Sequence, residues 1–197
     1  MNIILGSGSP RRKSILEEIF GEVQIIFPSV DESLIKDESA DVYAERISNL
    51  KMDAVVDGSG GRECCVITSD TIVAIDGKIL GKPESRDEAV SMLRLLSGKE
   101  HYVLTGICIT VLNGKETLRF YDCEKTSVRF KLLSDEVIRK YLDMVNYSDK
   151  AGSYAIQEHG DILVESVQGS MTNVIGFPLR LFFRMINNSG AAGILFK

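Results

Sequence analysis

The middle of the chain constrains its fold more than any other stretch. Two long strand-like runs, Tyr102 to Leu112 and Glu116 to Phe130, flank Asn113-Gly114. Asn-Gly tolerates the positive φ angles of a type I′ turn, whose twist matches that of the strands it joins, so the two runs should close into one long antiparallel hairpin. Before it, strand and helix patterns alternate, and a strand–helix–strand crossover favours parallel pairing. Together they imply an α/β fold, a mixed, elongated β-sheet with helices on its faces.

The flanking segments supply the other elements. Residues 2 to 6 read as a short buried strand stopped by Gly6-Ser-Gly-Ser-Pro10, with Ser9 as N-cap and Pro10 as first residue of a helix through Phe20 that turns Ile15, Leu16 and Ile19 inward. Val23 to Phe27 resumes a strand pattern. A second helix is expected from Ala40 to Val56, with Val42, Tyr43, Ile47, Leu50 and Ala54 as its apolar stripe and the flexible-looking cluster Gly58-Ser-Gly-Gly61 as its end. Cys64 to Thr68 should then be a buried strand delivering Ser69, Asp70 and Thr71 near its end, followed by a hairpin about Asp76-Gly77. Ser85 and Glu88 have capping-box spacing ahead of a helix ending at Leu96, and Ser134 begins another. The tail reads as strands at Tyr154 to Gln157 and Ile162 to Val167, then a helix from Pro178 to Asn188. With no internal repeat, residues 1–197 are expected to form one domain.

A net charge of −5 argues against general affinity for nucleic acid or anionic lipid, which need a basic field. No apolar run approaches the roughly 20 residues of a membrane span, and the N-terminal cations follow the apolar stretch rather than precede it, so a cytoplasmic protein with no membrane partner is expected. The four cysteines form no CxxC pair and read as reduced core or strand residues.

Chemistry concentrates in a few places. Arg11, Arg12 and Lys13 occupy the first turn of a helix whose N-terminus is already electropositive, which suits an anion held by backbone N–H groups, the Ser7 and Ser9 hydroxyls and the arginines, the alternative being a solvated basic helix start with nothing bound. The order of residues does not match a Walker A loop. Asp70 at a strand end and Glu32 in a loop after another strand can together hold Mg²⁺, although a strand-end aspartate serves equally as a cap. Lys51 and Lys82 can each bring a point charge to a phosphate, or simply lie in solvent. Gln157 can donate and accept at once, as an imide base edge requires, and is as readily a structural amide. Neither Ser7 nor Ser9 has a histidine at triad spacing, and His159 lies in no metal-binding pattern.

Taken in order along Leu5 to about Ile186, these segments resemble the Maf family of nucleotide pyrophosphatases, relatives in fold of the inosine-triphosphate pyrophosphatases. The carriers are Ser7-x-Ser-Pro-Arg-Arg12, Asp31-Glu32, Arg46 through Lys51, Ser69-Asp-Thr71, Gly81-Lys-Pro83, Leu96-Ser-Gly98, Thr105-Gly106, Asp149-Lys-Ala-Gly152 with Gln157, and Gly169-Ser-x-x-Asn-Val-x-Gly-x-Pro178. The resemblance implies two lobes about a central cleft and hydrolysis of a nucleoside triphosphate to monophosphate and pyrophosphate with Mg²⁺ or Mn²⁺. It makes Asp70 the general base or a metal ligand, with Ser7, Arg12, Glu32, Lys51 and Lys82 in phosphate, metal and charge roles. Arg11, Thr71 and Gln157 match the branch acting on dTTP and UTP, or on modified pyrimidine nucleotides, and a homodimer is implied as well. The family also has a link to cell division, so a nucleotide-binding regulator without turnover is the alternative. Gly6 and Gly8 stand where many members have alanine, which suggests a looser loop. His159-Gly160 replaces a more usual glycine-rich pair.

Overall fold

The computed structural model of the protein describes residues 1–58, 63–114 and 116–196. The glycine cluster read as ending the second helix therefore lies, past Gly58, outside the described residues. The elements are β1 (Asn2–Gly6), α1 (Pro10–Phe20), β2 (Gln24–Ile25), α2 (Ala40–Gly58), β3 (Cys64–Ile75), β4 (Lys78–Leu80), α3 (Arg86–Leu96), β5 (Glu100–Asn113), β6 (Glu116–Phe130), α4 (Asp135–Met144), α5 (Gly160–Leu163), β7 (Val164–Gln168), α6 (Met171–Ile175), α7 (Leu179–Asn188) and α8 (Ala192–Leu195). The caps behave as their chemistry requires: Ser9, Ser85 and Ser134 each accept a backbone N–H in the first turn of α1, α3 and α4.

One mixed sheet runs β2-β1-β3-β5-β6-β7, with β4 also paired to β3. β1 is parallel to β2 and β3, and the rest is antiparallel. The central hairpin forms as expected, with one adjustment: Asn113 still pairs with Glu116, so the turn begins at Gly114, φ 60°. Asp76 and Gly77 take φ of 50° and 73°, as the second hairpin demands.

The decisive feature is the edge of β3. β5 covers one side of it from Cys64 to Ala74. The other side is divided, β1 pairing with Cys64 to Thr68 and β4 with Val73 to Ile75. Between them, residues 69–72 have no neighbouring strand on that side among the described residues. β3 does not end at Asp70, as its broken apolar pattern suggested; Asp70 is mid-strand, and the partner strands end instead.

Alternation along β3 places the cores around this gap. Cys65 and Ile67 pack with α1 and α7, while Val73 and Ile75 pack with α3 and α4 on the same face. Ser69 and Thr71 fall between these two cores, so the lobes meet along a polar seam. On the opposite face Cys64, Val66 and Ile72 pack under α2. Cys64, Cys65 and Cys108 are buried and Cys123 is half-buried.

Three expectations need correction. Ile162 and Leu163, read as the start of the last strand, belong to α5, and β7 begins at Val164. The buried face of α2 is Tyr43, Ala44, Ile47, Ser48, Lys51, Met52 and Val55, while Val42 and Leu50 are exposed. Ser48 and Lys51 belong inside because Thr68 Oγ1 donates to the Ser48 carbonyl (2.8 Å) and Lys51 meets Asp70. Polar residues on the inner face thus rotate the helix away from its most apolar stripe. The stretch 154–157 is not a strand: a 3-10 turn at Ala151–Ser153 leads into a turn at 156–159, with left-handed Gly152, Ser153 and His159. Gly152 approaches Val73 so closely that a Cβ would lie 2.9 Å from its Cγ2.

Candidate active site

Tyr43, Ile47 and Lys51 recur every four residues on α2, which aims the last of them at the open edge of β3. Lys51 Nζ lies 2.6 Å from Asp70 Oδ1 and 3.0 Å from Glu32 Oε1. Lys51 and Asp70 are 8% and 7% exposed, so the ammonium needs a counter-charge to remain buried. It has two, and the triad carries one uncompensated negative charge. Glu32 reaches it from the loop after β2, where Tyr43 Oη donates to the Glu32 carbonyl at 2.9 Å. Burial and the charges of Asp70 and Glu32 push the Tyr43 hydroxyl up to about 12, which keeps it a donor.

The pair of carboxylates fits a divalent cation: hard oxygen donors, excess negative charge, and Asp70 Oδ2 and Glu32 Oε2 without a hydrogen-bond partner among the described residues. No cluster of three or more His, Cys, Asp or Glu side chains converges among the described residues, so such an ion would draw the rest of its shell from phosphate oxygens and water.

The basic turn of α1 is less free than its sequence suggests. Arg12 is 9% exposed and donates from Nε to the Gly176 carbonyl (2.9 Å), from Nη1 to Ser7 Oγ (3.0 Å) and the Ser69 carbonyl (2.8 Å), and from Nη2 to Thr71 Oγ1 (2.8 Å). Four of its five N–H groups are thereby used, plugging the gap beside β3 and tying β1, β3 and α6 together. Desolvation lowers its pKa, opposed by the charge of Asp70. Lys13 pairs with Glu17 (3.5 Å) and Arg11 faces Glu158 (3.8 Å), so each cation of the turn has a partner in the protein. Ser7 Oγ also accepts from the Ser9 N–H (3.2 Å), fixing the loop.

These groups line one cleft of about 300 Å³, which includes Ser7, Arg11, Arg12, Glu32, Lys51, Asp70, Thr71 and Lys82. Lys82 is exposed there and has no hydrogen-bond or ion-pair partner among the described residues. Thr71 Oγ1 is shared between Arg12 and Thr105 Oγ1 (2.9 Å) in the seam. Gln157 is the exception. It is exposed on the 156–159 turn and absent from the cleft lining, whereas its neighbour Glu158 contacts Arg11 and Lys150.

So eight of the nine residues singled out from sequence share a cleft at a break in the sheet. A family model for Maf-like proteins matches residues 2–189.

The chain belongs to the Maf-like family.

A dTTP/UTP pyrophosphatase of Thermotoga maritima is 38% identical over 190 residues, covering 96% of this chain and 90% of that protein. Proteins of the same description from Bacteroides thetaiotaomicron and Clostridioides difficile are 42% and 41% identical, each covering more than 90% of this chain, and 92% and 90% of their own length. Among solved structures, the Ham1 protein of Staphylococcus aureus is a slighter likeness, with TM-score 0.43 and 15% identity, covering 65% of this chain and 72% of that one.

In this Maf-like chain Gly6 does not loosen the loop. A Cβ there would sit 2.6 Å from Thr68 Cγ2 and 2.8 Å from Val55 Cγ2, so β1 and α2 pack closely because the residue is glycine. At Gly8 a Cβ would meet the Phe27 ring at 3.0 Å. Lys150 is a further cleft residue whose sequence context does not mark it out. It is 4% exposed, lines the cleft, and donates to the Asn146 carbonyl, Asp149 Oδ1 (2.9 Å) and Glu158 Oε1 (3.2 Å). Its only sequence signal was membership of Asp149-Lys-Ala-Gly152.

Proposed function

We propose that this chain hydrolyses the α–β phosphoanhydride bond of dTTP and UTP, or of modified pyrimidine nucleotides, releasing the nucleoside monophosphate and pyrophosphate. The observation that carries the reading is the Glu32–Lys51–Asp70 triad at the open edge of β3, with Lys82, which has no partner among the described residues, across the same cleft. The description shared by the Maf-like relatives agrees with it.

The chemistry follows from where the charges lie. Asp70 takes a proton from water as the water oxygen bonds to the α phosphorus, and the bridging bond to the β phosphate breaks with its electron pair on pyrophosphate. Lys51 and Lys82 counter the charge that grows on the phosphate oxygens and on the leaving group. Asp70 and Glu32 would hold a divalent cation, Mg²⁺ or Mn²⁺, which when bound draws charge from the phosphate oxygens. Ser7 offers its hydroxyl to a phosphate, and Arg12 holds the loop that presents it, with one remaining N–H for the same anion. Arg11, Thr71 and Gln157 set base choice: the first two line the cleft, and Gln157 reads the imide edge from the adjoining turn. In this reading residues 1–197 are one cytoplasmic domain working as a homodimer on free nucleotide, not on nucleic acid or membrane. The net charge of −5 supports that choice.

The test is a panel of triphosphates with Mg²⁺, scored for pyrophosphate against orthophosphate, with Asp70→Asn as control. Pyrophosphate from dTTP and UTP, lost in the variant, supports the proposal. Orthophosphate as first product, or full activity without Asp70, contradicts it.

A further inference from the structure

Glu32 is the one member of the triad that no helix or strand carries, and what holds it is visible in the contacts of residues 27–39. No apolar residue of that segment is buried, and Leu34 and Ile35 are 56% and 58% exposed, so hydrophobic packing does not anchor it. Polar ties to α2 do. Besides the Tyr43 bond to the Glu32 carbonyl, Arg46 donates to the carbonyl of the next residue, Ser33, at 2.9 Å. The same guanidinium grips Glu38 with two bonds of 2.7 Å, one to each carboxylate oxygen, and Glu38 Oε2 accepts the Ile35 N–H at 3.3 Å. The Glu38 side chain is only 4% exposed, and its carboxyl is held below the usual range by Arg46 first of all. Arg46 also lies over the Tyr43 ring, 5.4 Å from its centroid.

We infer that Arg46 is a positioning residue for Glu32: by clamping Ser33 and Glu38 it holds the segment on both sides of its turn at residues 36–37, so that the Glu32 carboxylate stands opposite Asp70 across Lys51. This rests on reading Glu32 as a metal-binding carboxylate. Arg46 has no hydrogen bond or ion pair to Lys51 or Asp70 and lies outside the lining of the 300 Å³ cleft, so its hydrogen bonds reach the chemistry by way of the segment that carries Glu32. A planar fork with two parallel bonds specifies an orientation that a single ammonium does not, so lysine is a partial substitute at best.

The experiment is a double-mutant cycle of Arg46→Gln and Glu32→Gln in the full chain, with urea midpoints confirming that each variant is folded. Free Mn²⁺ is measured by electron paramagnetic resonance in the presence of α,β-methylene-dTTP, which is not cleaved, and kcat and KM are measured separately with dTTP. Removing a residue that orients a metal-binding carboxylate costs roughly 10–100-fold in affinity or activity, and that loss of Mn²⁺ affinity and of kcat/KM is expected of Arg46→Gln. In the Glu32→Gln background the same change should add less than about twofold, since the two act as a unit, and Arg46→Lys should recover part of the loss in the parent. Full additivity, or unaltered Mn²⁺ binding in Arg46→Gln, overturns the inference. If Glu32→Gln alone leaves Mn²⁺ binding intact, the reading of Glu32 falls first, a result that the single variant already shows.

Discussion

Arg12→Lys separates two roles for the first-turn arginine that a loss of activity alone would merge. The guanidinium makes four hydrogen bonds, to Gly176, Ser7, Ser69 and Thr71, spread around its plane. Lysine keeps the charge but offers its three N–H groups from one atom, which can reach about two of those acceptors. Two charged hydrogen bonds to buried acceptors are then lost at about 1.5–3 kcal/mol each, or about 3–6 kcal/mol in all. With a urea slope of about 2 kcal/mol/M, the midpoint should fall by about 1.5–3 M. Equilibrium unfolding followed by circular dichroism, with and without nucleotide, is the assay. A midpoint within about 0.3 M of the parent, together with a raised KM for dTTP, would refute the reasoning and make Arg12 chiefly a phosphate ligand.

Other outcomes follow from the same geometry. Burial lowers the pKa of His101 from 6.5 to about 4, and its Nδ1 has no hydrogen-bond partner among the described residues. Between those values the unfolded chain binds a proton that the native one refuses, so stability is lost as pH falls from 6.5 toward 4, by up to about 3 kcal/mol. His101→Gln should flatten that slope in unfolding curves taken across the window. Gly6→Ala should cost about 1–3 kcal/mol through its contacts with Thr68 and Val55, and Val55→Ala in the same chain should recover part of it; an unchanged melting temperature for the single variant would contradict the packing. Gln157→Ala should leave stability unchanged, its side chain being exposed, while lowering kcat/KM for dTTP about tenfold, equivalent to about 1.4 kcal/mol. Equal activity would remove Gln157 from base recognition.

The parts of this fold that could be read in the sequence are those whose causes are local. Ser9-Pro10 starts α1 and Asp76-Gly77 turns a hairpin because a cap or a positive φ is a property of a few adjacent residues. β3 was misjudged because its polar run Thr68-Ser-Asp-Thr71 looks like a strand end, while the actual cause, two partner strands stopping on either side of it, is set by distant segments. The face of α2 departs from its apolar stripe for the same reason, since Ser48 and Lys51 are buried only because the sheet offers them partners. Tyr154-Ala-Ile-Gln157 carries a strand's apolar character, but left-handed residues on both sides bend it into turns. As for the site, family pattern brought Asp70, Glu32, Lys51 and Lys82 together, whereas the closure of Arg12 on four acceptors from three other segments and the grip of Arg46 on the Glu32 loop needed the tertiary structure.

The central claim, attack of water at the α phosphorus with pyrophosphate as leaving group, is tested most directly by hydrolysing dTTP in ¹⁸O-labelled water and locating the label by mass spectrometry. Label confined to the nucleoside monophosphate, with unlabelled pyrophosphate, is the predicted result. Label in pyrophosphate, or release of labelled orthophosphate, would place the attack at another phosphorus and contradict it.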